Sequence, residues 1–281
     1  MPSSSDHIIR IDGFSFSFGR KQILDDVSFN VARGESLAIV GPNGAGKTTL
    51  IKCLDALLDG VAGASKSGTI EIDGHPIGDY SRKELARLVS YVPQADGHVA
   101  PFNVEQFITM ARYPHLSPFS PVDGHNLDVV RETMEQTETL RFADRSLESL
   151  SGGERQRVFI AAAIAQGARI ILLDEPTTFL DYRHQDEVRR LLAQTARTDG
   201  LTMISVTHDV NRAALESDRI VALCEGRVVF VGKSEEIMRP EVLERIYGTP
   251  FLMVDHPQSG LPVIVPRDCA ADNGAADGGN A

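Results

Sequence analysis

The stretch Gly41–Thr49 reads GPNGAGKTT, and its Gly41, Gly46, Lys47 and Thr48 fill the spacing G-x-x-x-x-G-K-[ST]. That spacing suits phosphate chemistry. Through Gly41, Pro42, Asn43, Gly44, Ala45 and Gly46, the glycines let backbone N–H groups curl round a β-phosphate. The N-terminus of the helix that Thr49 continues adds the positive end of its dipole. Lys47 supplies a point charge to the β/γ-phosphates, and Thr48 a hydroxyl to Mg²⁺. The apolar run Leu37-Ala38-Ile39-Val40 leads into the loop and Leu50 to Leu54 follows it, the strand–turn–helix context the motif requires. Nucleotide binding is the expectation; its purpose is open on this loop alone.

Other residue types fit the same chemistry. Phe18, just upstream, can stack on an adenine ring, whereas Phe14 and Phe16 read as sheet core. Gln94 stands where a strand meets a loop and can reach Mg²⁺ and an attacking water. Asp174-Glu175 ends the apolar run Ile170–Leu173, which puts two carboxylates at the C-terminal edge of a parallel sheet, where α/β proteins bind ligands. Ser151 can cap a helix while Gly152 and Gly153 leave backbone N–H groups for an anion; a plain helix start explains that stretch equally well. His208, delivered by the strand Leu201–Thr207, carries no argument by itself.

The elements that must position these groups follow from periodicity and turn chemistry. His7–Ile11, Phe14–Phe18 and Ile23–Val31 read as short strands, with turns at Gly13 and Gly19. Val61–Gly68 reads as a flexible loop before the strand Thr69–Ile72. A short helix spans Arg82–Leu88, and Val89–Val92 is a strand. Residues 103–140 read as mostly helical around a Pro-rich interruption, with Glu132, Glu135 and Glu138 on a solvated face. A helix over Tyr182–Arg197, a hairpin over Ile220–Val231, a last helix at Leu243–Tyr247 and a late strand at Leu261–Val265 complete the reading.

The 281 residues suffice for a full core, and the formal charge of −11 argues against broad attraction to nucleic acid or anionic lipid. No apolar stretch approaches the roughly 20 residues of a membrane span. The opening Met1–Asp6 has neither the basic nor the apolar region of a secretory signal, so a cytoplasmic location is expected. Cys53, Cys224 and Cys269 are too scattered for a metal or disulfide framework and read as free thiols.

Taken in order, GPNGAGKTT, YVPQ at 91–94, LSGGERQR at 150–157, ILLDEP at 171–176, FLD at 179–181 and His208 make the chain resemble the nucleotide-binding subunit of ATP-binding cassette transporters. The ordered set is far more specific than any member. The resemblance covers roughly residues 7–266, with tails 1–6 and 267–281 expected to be disordered. It implies an α/β fold: a P-loop NTPase core of mostly parallel sheet with flanking helices, an N-terminal antiparallel β subdomain, and a helical subdomain over about 95–165. It implies ATP and Mg²⁺ as cofactors. Phe18 then resembles the adenine-stacking aromatic, Lys47 and Thr48 the phosphate and Mg²⁺ ligands, and Gln94 the lid-loop sensor. Asp174 resembles the metal-side carboxylate, Glu175 the general base and His208 the γ-phosphate switch. Ser151, Gly152 and Gly153 would act in trans, on ATP held by a second copy paired head to tail, with Asp181 at that interface.

A finer similarity lies in Arg112-Tyr113-Pro114-His115, in DEPTTFLD at 174–181 followed by His184-Gln185, and in the ending PQSGLPVIVP at 257–266. These resemble the importers of iron–siderophore complexes, haem and vitamin B12, with Tyr-Pro-His leaning to siderophores. They imply a transmembrane permease as partner, a substrate-binding protein acting indirectly, no nucleic acid, and a station at the cytoplasmic face of the membrane. His98, His115 and His125 could be read as metal ligands; for His115, a loop histidine packing at the transmembrane partner is the better reading.

Overall fold

The computed structural model describes residues 7–94, 101–117, 121–178, 180–258 and 260–266. Both tails, the stretch 95–100 with His98, Phe179 and Cys269 lie outside them. In chain order the elements begin with β1 (His7–Phe18), β2 (Lys21–Ala32), β3 (Ser36–Val40) and α1 (Lys47–Leu54). Next come β4 (Ala64–Ile72), β5 (His75–Pro76), α2 (Arg82–Leu85) and β6 (Val89–Val92). Then follow α3 (Val104–Met110), α4 (Gly124–Gln136), α5 (Gly152–Ala165), β7 (Ile170–Asp174), α6 (Tyr182–Asp199), β8 (Thr202–Val206) and α7 (Val210–Glu216). The chain closes with β9 (Arg219–Cys224), β10 (Arg227–Lys233), α8 (Ser234–Ile237), α9 (Pro240–Tyr247), β11 (Leu252–Asp255) and β12 (Pro262–Val265).

The central sheet has the order β10-β9-β3-β8-β7-β6. All its neighbours are parallel except the edge strand β10, which turns back on β9. A strand buried on both faces must be apolar throughout, and alternate residues must serve different cores. β3 does this: Leu37 and Ile39 join the core under α1 and the antiparallel sheet, while Ala38 and Val40 face α7, α8 and α9. In β7, Ile170 and Leu172 enter the first core, and Ile171 and Leu173 pack with α5 and α6. The helices α3, α4 and α5 close a separate apolar cluster around Val104, Ile108, Met134, Leu147 and Val158.

The antiparallel sheet, ordered β2-β1-β4-β5, corrects two expectations. Gly13 does not separate two strands; it sits at a register shift inside one continuous strand, between the pairs Ile11–Phe29 and Phe14–Val27. The expected loop at Val61–Gly68 becomes strand from Ala64, because β1 offers an open edge and pairs Phe18 with Ala64 and Ser17 with Ser65. Those residues are polar or small, so no apolar alternation announces them. The short α7, capped by Asp209 with Val210, Ala213 and Ala214 on its buried face, and the strand β11, paired to β12, add to the expected elements. No helix among the described residues is long and apolar enough to cross a membrane.

Candidate functional site

The phosphate loop is built between β3 and α1 by close approaches that exclude side chains. At Gly41 (φ +139°) a Cβ would lie 2.0 Å from the Leu223 carbonyl oxygen. At Gly46 (φ +98°), which caps α1, it would lie 2.9 Å from the Ile23 carbonyl oxygen. Both also need a left-handed backbone, so glycine is required twice over. Ala45 is buried and its N–H bonds the Pro42 carbonyl, while Asn43 and Gly44 form the exposed tip. Lys47 is only 6% exposed and its Nζ donates to the carbonyls of Gly41 (2.8 Å) and Pro42 (2.9 Å). Burial pushes this ammonium below the usual lysine range; the charges of Glu175 and Asp174 oppose part of that shift. A buried cation ringed by carbonyls at the mouth of a helix is ready for an anion. Thr48 and Thr49 start the helix beside it.

The second half of the site comes from β7. The Thr48 hydroxyl donates to Asp174 Oδ1 at 3.1 Å, and the Tyr91 hydroxyl to Oδ2 at 3.1 Å. Burial raises the Asp174 carboxyl, and these two hydrogen bonds hold part of it back. One carboxylate and one hydroxyl, side by side, suit an ion such as Mg²⁺, which takes few protein ligands and completes its shell with nucleotide oxygens and water. Among the described residues no cluster of three or more His, Cys, Asp or Glu could hold a metal by itself.

Glu175 follows in a left-handed backbone conformation, φ +49°, uncommon for a residue with a long side chain. Its N–H bonds the Val206 carbonyl at 3.0 Å, so the pairing of β7 with β8 imposes this turn. The turn sends the carboxylate into a ring of donors. Its Oε2 receives Thr178 Oγ1 at 2.8 Å and Gln94 Nε2 at 3.3 Å, and His208 Nδ1 lies at 3.4 Å. Held strain at a carboxylate surrounded by donors points to function. Gln94, Lys47, Thr48, Asp174, Glu175 and His208 thus converge from four separate stretches. Tyr91 and Thr178 join them, and the sequence alone assigns neither a role; Tyr91 stands in YVPQ on β6, the strand next to β7 that carries its carboxylate partner.

Phe18 is 37% exposed and meets the buried Phe16 edge-on, with centroids 4.9 Å apart, so its ring is offered outward. Ser151 caps α5 through a reciprocal pair with Glu154: Glu154 N–H donates to Ser151 Oγ (3.3 Å), and Ser151 N–H to Glu154 Oε2 (2.8 Å). Ser151 and Gly152 are exposed and Gly153 is buried. This stretch packs on Leu180 and His184. His115 turns inward, its Nε2 2.7 Å from the Gln166 carbonyl, while Tyr113 is 69% exposed.

A phosphate loop, an acid pair at the end of a parallel strand and a glycine-led helix beside them define a nucleotide-hydrolysing cassette. The profile of the family described as "ABC transporter" matches residues 24–178, and the chain belongs to that family as an ATPase. It is 35% identical over 258 residues to the ferric enterobactin transport ATP-binding protein FepC of Escherichia coli (strain K12), covering 92% of this chain and 93% of that one. It is 40% identical over 257 residues to the hemin import ATP-binding protein HmuV of Streptomyces coelicolor (strain ATCC BAA-471 / A3(2) / M145), covering 91% and 88%. Among solved structures it is similar to the dimeric post-hydrolysis state of the ATP-binding cassette MJ0796 bound to ADP and Pi. That match has a TM-score of 0.68 and 27% identity, covering 80% of this chain and 98% of that one.

Proposed function

We propose that this chain powers import of a ferric siderophore through a separate permease, as one of two identical ATPase subunits at the cytoplasmic face of the membrane. The observation that carries the ATPase mechanism is the gathering of Gln94, Thr178 and His208 on Oε2 of Glu175, beside the Thr48–Asp174 pair. In this reading Lys47 leaves its loop carbonyls for the β/γ-phosphates. Thr48 and Asp174 would hold Mg²⁺, which would supply charge screening for the phosphates, and Gln94 would orient water. Glu175 takes the proton of that water as its oxygen bonds to the γ-phosphorus and the bond to the bridging oxygen breaks, releasing ADP, while His208 steadies the γ-phosphate. Phe18 stacks on adenine. Ser151, Gly152 and Gly153 close over the ATP of the second copy.

The coupling to a permease rests on an apolar groove of about 470 Å³ lined by Tyr91, Pro93, Phe107, Met110 and Phe159, among others. It opens beside Gln94, and Met110 is half exposed there. A permease helix seated in it would touch the segment that contacts Glu175, so nucleotide state and permease shape can move together. A substrate-binding protein would deliver the chelate to the other side. A siderophore cargo is supported by the 35% identity to FepC and the Tyr-Pro-His segment; a haem cargo is supported by the 40% identity to a hemin import protein.

The test is growth of a strain lacking this gene, with a ferric siderophore or haemin as sole iron source, complemented by the parent chain or Glu175→Gln. Loss of siderophore-dependent growth that only the parent restores is expected. Unchanged growth on siderophore with loss on haemin would move the cargo to haem, and unchanged growth on both would sink the importer reading.

A further inference from the structure

The turn before α6 and the start of α5 interlock in a way the catalytic machinery does not explain. Asp181 caps α6, its Oδ1 accepting the His184 backbone N–H at 2.9 Å, and the same oxygen lies 2.9 Å from His184 Nδ1. The His184 ring in turn covers Gly153. A Cβ built on Gly153 would fall 2.6 Å from His184 Cδ2 and 2.7 Å from Cγ, far inside contact distance. Leu180 Cδ2 lies 4.0 Å from the corresponding position on Gly152. Gln185 completes the clasp, its Nε2 donating to the carbonyls of Leu180 (3.0 Å) and Thr177 (3.4 Å). One turn further along both helices, the largely buried Arg157 reaches Glu187 at 2.6 Å. That ion pair fixes the α5–α6 spacing, so the ring cannot retreat from Gly153 by helix separation.

We propose that His184, supported by Gln185, is a positioning residue that locks the Asp181 turn to Gly152 and Gly153 of the same chain. The surface offered to the second copy and to its ATP then moves as one piece. Glycine stands at 153 because the imidazole occupies the space a side chain would need, not only because a phosphate approaches there. This inference rests on the reading that these glycines act on the nucleotide of the second copy.

The test uses the full-length chain and two readouts: ATPase kinetics, and ATP-driven dimer formation in a Glu175→Gln background followed by light scattering. His184→Ala should lower kcat and weaken the dimer about 3- to 10-fold, the scale of one net hydrogen bond. It should leave ATP affinity of the monomer unchanged, which general misfolding would not. His184→Asn, whose amide nitrogen can stand in for Nδ1, should recover most of that loss. Gly153→Ala should be worse than His184→Ala, and the double variant Gly153→Ala/His184→Ala should recover part of the loss that Gly153→Ala shows alone. A double variant no better than Gly153→Ala, or a His184→Ala indistinguishable from the parent, would overturn the inference. Failure of Glu175→Gln itself to dimerise would instead refute the shared-site reading beneath it.

Discussion

Two phenylalanines two positions apart on β1 separate core packing from ligand contact. Phe16 is 2% exposed, and its truncation should cost about 3–5 kcal/mol of stability, as for other buried aromatics. Phe18 presents its ring outward, and base–aromatic stacking contributes about 1–3 kcal/mol. Phe18→Ala should therefore weaken ATP binding about tenfold or more with little change in melting temperature, while Phe16→Ala melts early. Titration with a fluorescent ATP analogue beside calorimetry distinguishes them; equal ATP affinity for parent and Phe18→Ala would remove the adenine role. At Glu175 the expectation is kinetic. Loss of a general base typically costs about 10²–10⁴-fold, so Glu175→Gln should bind ATP and turn over at no more than about a hundredth of the parent rate. Steady-state hydrolysis near the parent rate would reassign the base. Lys47→Ala should fail one step earlier, at nucleotide binding.

At the scale of one element, α1 ends badly for its own stability. Asp55 is its C-cap residue, where a negative charge opposes the helix dipole. Burial pushes the Asp55 carboxyl up to about 7, with the Arg82 charge offsetting part of the rise. The folded chain therefore holds a proton that the unfolded chain, with an ordinary value of 3.8, gives up. Between those values the native state binds more protons, so stability falls as pH rises from about 4 to 7 and stays lowered above. Asp55→Asn should flatten that part of the profile and raise the melting temperature at pH 8. A melting curve at pH 8 unchanged by the substitution would count against a buried, costly carboxylate. The Tyr113–His115 turn is also set at this scale. Arg87 Nε donates to the Pro114 carbonyl at 2.8 Å and His115 meets the Gln166 carbonyl, so the chain itself holds this turn while Tyr113 projects. Tyr113→Ala, rather than a change at His115, is the clean probe of a permease contact: basal ATPase activity should persist while association with the permease weakens.

Assembly belongs to the whole molecule. The sequence holds one phosphate loop and one copy of Ser151-Gly152-Gly153. In the proposed reading, two complete sites need two chains. With MgATP, Glu175→Gln should accumulate as a dimer on light scattering, and adding Ser151→Arg should return it to monomer. A mixture of Lys47→Ala and Ser151→Arg chains leaves one composite site unaltered and should recover part of the activity that each lacks alone. A trapped species that stays monomeric at high protein concentration would contradict the shared site.

Much of this is legible without coordinates, because its causes are local. Leu37–Val40 and Ile170–Leu173 are unbroken apolar runs, as strands with a core on each face must be, and each delivers its chemistry at its C-terminal end. The loop at Gly41–Thr49 declares itself because only glycine tolerates Leu223 and Ile23 so close. The ordered motifs identify the family for the same reason. Only the tertiary structure decided the rest, where polar residues take their roles from distant partners. β4 forms over Ala64–Gly68 since β1 leaves an edge to fill, not by any propensity of its own. Tyr91 and Thr178 become ligands of the acid pair only when β6, β7 and the turn after β7 are side by side. In the sequence His184 carries only a family similarity; its packing partner, Gly153, lies a helix away, where the absence of one methyl group is what lets the two helices meet.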